Sequence, residues 1–235
     1  PLARLCIKRP NMLRKLLFPV LLGVVGCAIL IGLGTWQMQR LAWKTEIIDR
    51  IGNRLTDEPV QLPENPDPDS DNYLSVIMNG ITIGAPIHVL VSLEGYGTGY
   101  RLISAFETEG RTILVDLGFV PLEPRETSPL DKTLFVGGNL HWPDEADSWT
   151  PDPDPSGIWF ARDVPTMAKA LGTEEVMVVA RTVSRGDHRF DPVSLKTSSI
   201  RNNHLNYAIT WFSLAAVWAV MSLFLINRTL RSKDS

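Results

Sequence analysis

The chain has 235 residues, with 23 basic and 26 acidic side chains and a formal net charge of −3 at pH 7. That length fits one domain with appendages, and the acidic balance argues against a nucleic-acid binder. Its two cysteines, Cys6 and Cys27, lie in an N-terminal tail and an apolar run, so the rest of the chain holds neither a disulfide nor a thiolate metal site.

Residues 1–15 carry Arg4, Lys8, Arg9, Arg14 and Lys15 and no acid. Leu16 to Trp36, "LLFPVLLGVVGCAILIGLGTW", then runs 21 residues without a charge. At about 1.5 Å per residue it spans about 30 Å, the thickness of a bilayer's hydrocarbon core. In lipid the backbone must satisfy its own polar groups, so the run is expected to be a helix, with Pro19 in its first turn. It exceeds the apolar region of a cleaved signal peptide, and no A-x-A-like site ends it. "VVGC", ending at Cys27, looks like a lipoprotein cleavage box, but the "AILIG" after it continues the membrane run. Past the span, "WQMQRLAWKTEIIDRIGNRL" keeps helical spacing as far as Gly52, with Trp36, Arg40 and Trp43 on one face.

The extramembrane domain is expected over 37–206. Two acidic, Pro-rich segments, 56–72 and 143–157, read as irregular loops. Asp67, Asp69 and Asp71 alternate in the first, without the Gly and distal Glu of a calcium loop. Five short runs rich in β-branched residues, 86–93, 101–108, 111–120, 132–141 and 175–184, predict strands. "ETEGRT" predicts a hairpin turn between two of them, and "GYGTGY" (95–100) another turn. "DVPTMAKALG" predicts one short helix, capped by Asp163, with Pro165 in its first turn and Gly172 as its stop. The pattern is that of a mainly-β domain, a small barrel or sandwich.

A second uncharged run, Tyr207 to Ile226, is 20 residues long and predicts a second transmembrane helix, followed by a basic tail at 227–235. Between the spans lie 15 basic and 25 acidic residues. The basic tails belong on the cytoplasmic or matrix side, which puts 37–206 in the periplasm or intermembrane space.

No G-x-S-x-G, P-loop, G-x-G-x-x-G before a helix, H-E-x-x-H or C-x-x-C occurs, so no enzyme is expected. His88, His141 and His188 read as structural or solvent-facing. His204 differs, because it stands in "NNHLNYAITWF" (202–212) at the mouth of the second span. Tyr207, Ala208, Trp211 and Trp218 share its helix face, and Asn202 or Asn203 is placed to cap the helix. A neutral imidazole at this level suits axial ligation of haem iron. The aromatic stripe would then hold the macrocycle, with Arg40 or Arg201 near its propionates. The alternative is a polar anchor within an interfacial aromatic belt.

"LGTWQMQRLAWK" (33–44) and "NNHLNYAITWF" resemble the Surfeit locus protein 1 family, membrane-anchored assembly factors of cytochrome c oxidase. "GIWFARDVPTMAKALG" (157–172) is similar to the family's W-F-x-x-D helix region. "RTILVDLGFVP" (111–121) resembles its strand ending in N-R-G-W-V-P, with Asp116, Leu117 and Phe119 in place of Asn, Arg and Trp. The resemblance implies help in maturing oxidase subunit I, with haem a synthase and other assembly factors as further partners. It implies haem a as cofactor, His204 as the iron's axial ligand, and Trp36, Gln37 and Arg40 facing it, beside Tyr207 and Trp211. A cofactor-free chaperone that stabilises a subunit I intermediate stays open beside this. A Cu(I) chaperone ranks below both, since Met38, Met78, Met167 and Met177 form no cluster. The short N-terminal region lacks an Arg- and Ser-rich presequence, which favours a bacterial inner membrane over a mitochondrial one.

Overall fold

The computed structural model describes residues 12–122, 132–184 and 190–231; Cys6, His188, the tail up to residue 11 and residues 232–235 lie outside the described residues. In chain order the elements are α1 (Met12–Thr56), β1 (Val60–Gln61), α2 (Pro68–Asp71), β2 (Ser75–Leu93), β3 (Gly97–Thr108), β4 (Arg111–Pro121), β5 (Thr133–Leu140), β6 (Ile158–Trp159), α3 (Val164–Leu171), β7 (Met177–Val183) and α4 (His204–Arg231). They form two units, Pro1–Asp49 with Ile200–Ser235, and Arg50–Ser199.

The first unit is a pair of apolar helices, each long enough to cross a membrane. The two expected spans lie inside α1 and α4, and the chain is a membrane protein. Because α1 begins at Met12, Pro19 sits inside the helix rather than in its first turn, and the carbonyl of residue 15 loses its helical donor. The helix also runs through Gly52, where a Cβ would meet only the Thr197 methyl at 3.6 Å. Burial follows a seven-residue rhythm on both helices. Gly23, Cys27, Leu30, Gly34, Gln37, Leu41 and Lys44 are covered on α1, and His204, Ala208, Trp211, Ala215, Trp218 and Ser222 on α4. Spacings alternating between three and four residues are those of a coiled-coil seam. Small residues let the backbones approach: Phe212 lies on Gly34, Trp218 on Gly26 and Ser222 on Gly23.

The second unit is a closed barrel. Its pairings run β2–β3–β4–β7–β5 and return from β5 to β2. All are antiparallel except β4–β7. This is a five-stranded Greek-key barrel of OB type. Closure depends on β2, which pairs β5 through Ser75–Ile81 and β3 through Ile81–Leu93. The register shifts between Ile83 and Ile87, at a bulge holding Gly84, with φ +69°, and Pro86. A bulge bends a strand and tolerates a residue without an N–H. The same Gly and Pro hid the first half of this strand from a sequence reading that began it at 86.

Val76, Leu102, Phe106, Ile113, Val115, Leu117, Val136 and Val178 fill the barrel. Outside it, α3 presents Val164, Met167 and Ala168 to Ile87, Val89, Ile103, Leu114 and Met177. Strand β4 is therefore buried on both faces from Ile113 to Val120, which explains its continuous apolar run. Gly172 closes α3 in the left-handed conformation, as expected. Asp163 occupies the N-cap position but makes no side-chain cap; its carboxylate accepts from the Thr166 hydroxyl instead.

The segment 56–72 is not wholly irregular. It contributes β1, parallel to β2, and the single turn α2. Asp67 accepts from Ser70 N at 2.9 Å, and Asp71 accepts from Asp67 N at 2.9 Å. Those carboxylates organise the turn, and among the described residues no group of three His, Cys, Asp or Glu is placed to hold a metal.

Candidate cofactor site

The site belongs to the helix pair. The contacts of Gln37 with His204, Cys27 with Ala215 and Leu22 with Trp218 run antiparallel. Gln37 continues the covered stripe of α1 and is only 8% exposed. It meets His204, the first residue of α4, with Oε1 2.7 Å from Nδ1. His204 itself is half-buried. Asn202 does not cap α4: its Nδ2 lies 3.5 Å from Thr45 Oγ1 on α1, and its Oδ1 is buried without a partner among the described residues.

On α1 the Arg40 guanidinium lies between two indoles, 5.9 Å from the Trp36 centroid and 5.2 Å from that of Trp43, a cation–π arrangement. Both Trp rings are about half exposed. Equal offsets along antiparallel helices fall on one side of their seam. Arg40, three residues after Gln37, therefore opens to the same side as Tyr207, three after His204, and Tyr207 is exposed. The expected aromatic stripe has a different fate. Trp211 is half-buried on the seam. The Trp218 indole N–H donates to the Leu22 carbonyl at 3.3 Å, so this ring holds the helices together. An apolar groove lined by Leu22, Trp218, Met221, Ser222 and Phe224 lies in the other half of α4 and includes neither Gln37 nor His204.

The remaining described histidines belong to the barrel unit. His88 is buried, edge-on to Tyr100 at 5.5 Å. His141 Nδ1 lies 3.2 Å from Asn72 Oδ1, and its ring stands beside Tyr73. Burial, with Arg162 nearby, pushes His141 down to about 4.

One cluster escaped the sequence reading. Asp116, fully buried, accepts from Arg101 Nε at 2.6 Å and Arg162 Nη1 at 3.1 Å through Oδ2, and from Gly118 N at 3.1 Å through Oδ1. Arg162 also grips Glu145 in a two-pronged pair, and Arg101 donates to the Val193 carbonyl at 3.0 Å. Burial acts to raise the Glu145 carboxyl, but hydrogen bonds and charge from Arg162 hold it below the usual range. The signal was present as an acid inside the apolar run "TILVDLGFV".

The model of the SURF1 family matches residues 24–216, a stretch that contains both Gln37 and His204. The chain belongs to the SURF1 family. It is 30% identical over 219 residues to Surfeit locus protein 1 of Takifugu rubripes, covering 81% of this chain and 89% of that protein. Similarity to Surfeit locus protein 1 of Homo sapiens is 29% over 214 residues, 79% of this chain and 70% of the relative. A SURF1-like protein of Monosiga brevicollis is 29% identical over 83% of this chain and 82% of its own. Within the family's N-R-G-W-V-P-like strand, Leu117 is a barrel core residue, and Asp116 is the centre of the ionic cluster.

Proposed function

We propose that the chain is an assembly factor for a haem-a-type cytochrome c oxidase, that it binds haem a through His204, and that it assists insertion of that haem into subunit I. Family membership supports the assembly role. One observation carries the haem reading: the His204 imidazole, engaged through Nδ1 by Gln37, stands at the end of the seam, on whose flank Trp36, Arg40 and Tyr207 are exposed. The donor set fits. It offers an imidazole nitrogen for iron, aromatic faces for a macrocycle, and a guanidinium for carboxylates.

When bound, haem a is cargo, the redox-active iron that the oxidase needs. His204 would hold the iron, Arg40 the carboxylates, and Trp36 and Tyr207 would cover the ring against water, with Trp211 lining the seam beneath. A single axial ligand beside an open flank permits release to a partner. Transfer at membrane level also keeps an isoprenoid tail out of water. In this reading the protein sits in a bacterial inner membrane with 37–206 on the periplasmic side, beside subunit I, haem a synthase and other assembly factors.

A second reading, a cofactor-free chaperone of a subunit I intermediate, is favoured by the packing of Phe212 and Trp218 against α1, which removes part of the expected stripe. Co-expression with haem a synthesis enzymes, purification in mild detergent and pyridine haemochrome spectra separate the two. Bound haem a that falls at least about tenfold in His204→Ala supports the carrier. Haem-free protein that still co-purifies with subunit I supports the chaperone.

A further inference from the structure

We infer that Gln37 is a positioning residue that locks His204 in one tautomer, with the proton on Nδ1 and Nε2 left bare as the ligating nitrogen. The inference deepens the haem reading and rests on it for the identity of what Nε2 meets. Gln37 Oε1 accepts and cannot donate. At 2.7 Å from Nδ1 it requires that nitrogen to carry the proton. Which ring nitrogen of a histidine binds a metal is set by the hydrogen bond its other nitrogen makes. Free in water, the side chain favours the opposite tautomer, whose proton would block Nε2.

Gln37 is well suited to this task. It is 8% exposed and continues the heptad stripe of α1, so packing fixes its rotamer. A polar group so placed must be hydrogen-bonded or it destabilises the seam, and His204 supplies the partner. The amide is also neutral. A carboxylate in its place would draw the Nδ1 proton further and make the ring a stronger, less readily exchanged donor. A neutral acceptor orients the imidazole without making release slow, which is the property a transient holder needs.

A polar residue in a heptad seam can instead serve only to set helix register. The two roles differ in what they move. Full-length protein labelled with ¹⁵N-histidine, free of cofactor and in detergent micelles at a pH where imidazole is neutral, reports the tautomer directly. His204→Ala assigns its resonances. Wild type should show a protonated Nδ1 and a bare Nε2. Gln37→Leu should move the proton largely to Nε2, and Gln37→Glu should keep it on Nδ1. Titration with iron protoporphyrin IX should then show affinity about 10- to 100-fold weaker in Gln37→Leu, and a lower haem midpoint potential in Gln37→Glu.

A wild-type proton on Nε2 overturns the inference, because the Gln37 amide would then be the donor. So does an unchanged tautomer in Gln37→Leu, whatever happens to its melting temperature. If the tautomer switches as expected but no variant binds porphyrin, the lock stands and the haem reading falls. Should wild type bind porphyrin through His204 while Gln37→Leu matches it in tautomer and affinity, the haem reading stands and the lock falls.

Discussion

Asp116→Ala removes the carboxylate at the centre of the barrel's ionic cluster. Two guanidinium groups, each under a tenth exposed, then lose their shared partner. Arg162 keeps Glu145, but among the described residues Arg101 retains only the Val193 carbonyl, and Gly118 N loses its acceptor. Breaking a buried ion pair by deleting one partner costs about 3–5 kcal/mol, because the remaining charge is desolvated and unpaired. With Arg162 partly compensated, about 4 kcal/mol is expected, or about 8–16 °C in melting temperature for a unit of this size. Asp116→Asn keeps a single, neutral oxygen, which serves either Gly118 N or the arginines but not both positions, because the amide NH2 is a donor, so it should fall between alanine and wild type. Thermal unfolding of the full chain in mild detergent, followed by near-ultraviolet circular dichroism, measures both. Loss of less than about 1 kcal/mol in both variants would refute the reasoning, since it would mean the arginines reach water on their own.

Three further outcomes are expected. The folded His141 pKa of about 4 lies below the ordinary 6.5, so its contribution is whole above pH 6.5 and is lost as pH falls towards 4, by at most about 3 kcal/mol. Glu145, also held low, loses its contribution in the same direction below the ordinary carboxylate range, and denaturant midpoints across pH 4–7 should flatten in His141→Gln. Gly118→Ala should lower stability by about 2 kcal/mol or more, because φ is +116° and the new Cβ would meet the Asp191 carbonyl oxygen at 2.0 Å; Gly84→Ala, with positive φ but open space around it, should cost only about 1 kcal/mol, and equal melting temperatures would contradict this. Gly26→Leu would drive a side chain into the Trp218 indole, 2.1 Å from a Cβ, so oxidative crosslinking of Cys27 to an Ala215→Cys variant in a Cys6→Ser background should fall sharply, and an unchanged yield would contradict the seam.

What could be read from the chain depended on whether the cause was local. Both spans, the strand runs of β3, β4, β5 and β7, and α3 follow from composition and periodicity within a dozen or so residues. The first half of β2 did not, because Gly80, Gly84 and Pro86 are breakers unless a barrel needs a bend there. His204 stood out through its place at the mouth of an apolar run. Its partner could not be found by spacing, since Gln37 is 167 residues away. Trp211 and Trp218 form a heptad stripe, which suits a flat ligand and another helix equally, and α1 takes it.

The depth of the Gln37–His204 pair is itself constrained. Deeper in the seam, where Gly, Ala, Cys and Leu meet, leaving an amide and an imidazole unpaired even briefly would be costly in hydrocarbon. Further out, water would compete for both groups and the bond would add little orientation. Gln37 follows the last residue of the first apolar run, and His204 precedes Tyr207, which opens the second, by three residues. At that level the bond is shielded by packing on one side, Gln37 being nearly covered, while the ring of His204 stays half open. A histidine there is held in a fixed orientation and still reachable, and no other described histidine combines the two: His88 is sealed in the barrel unit and His141 is tied to Asn72 beside Tyr73.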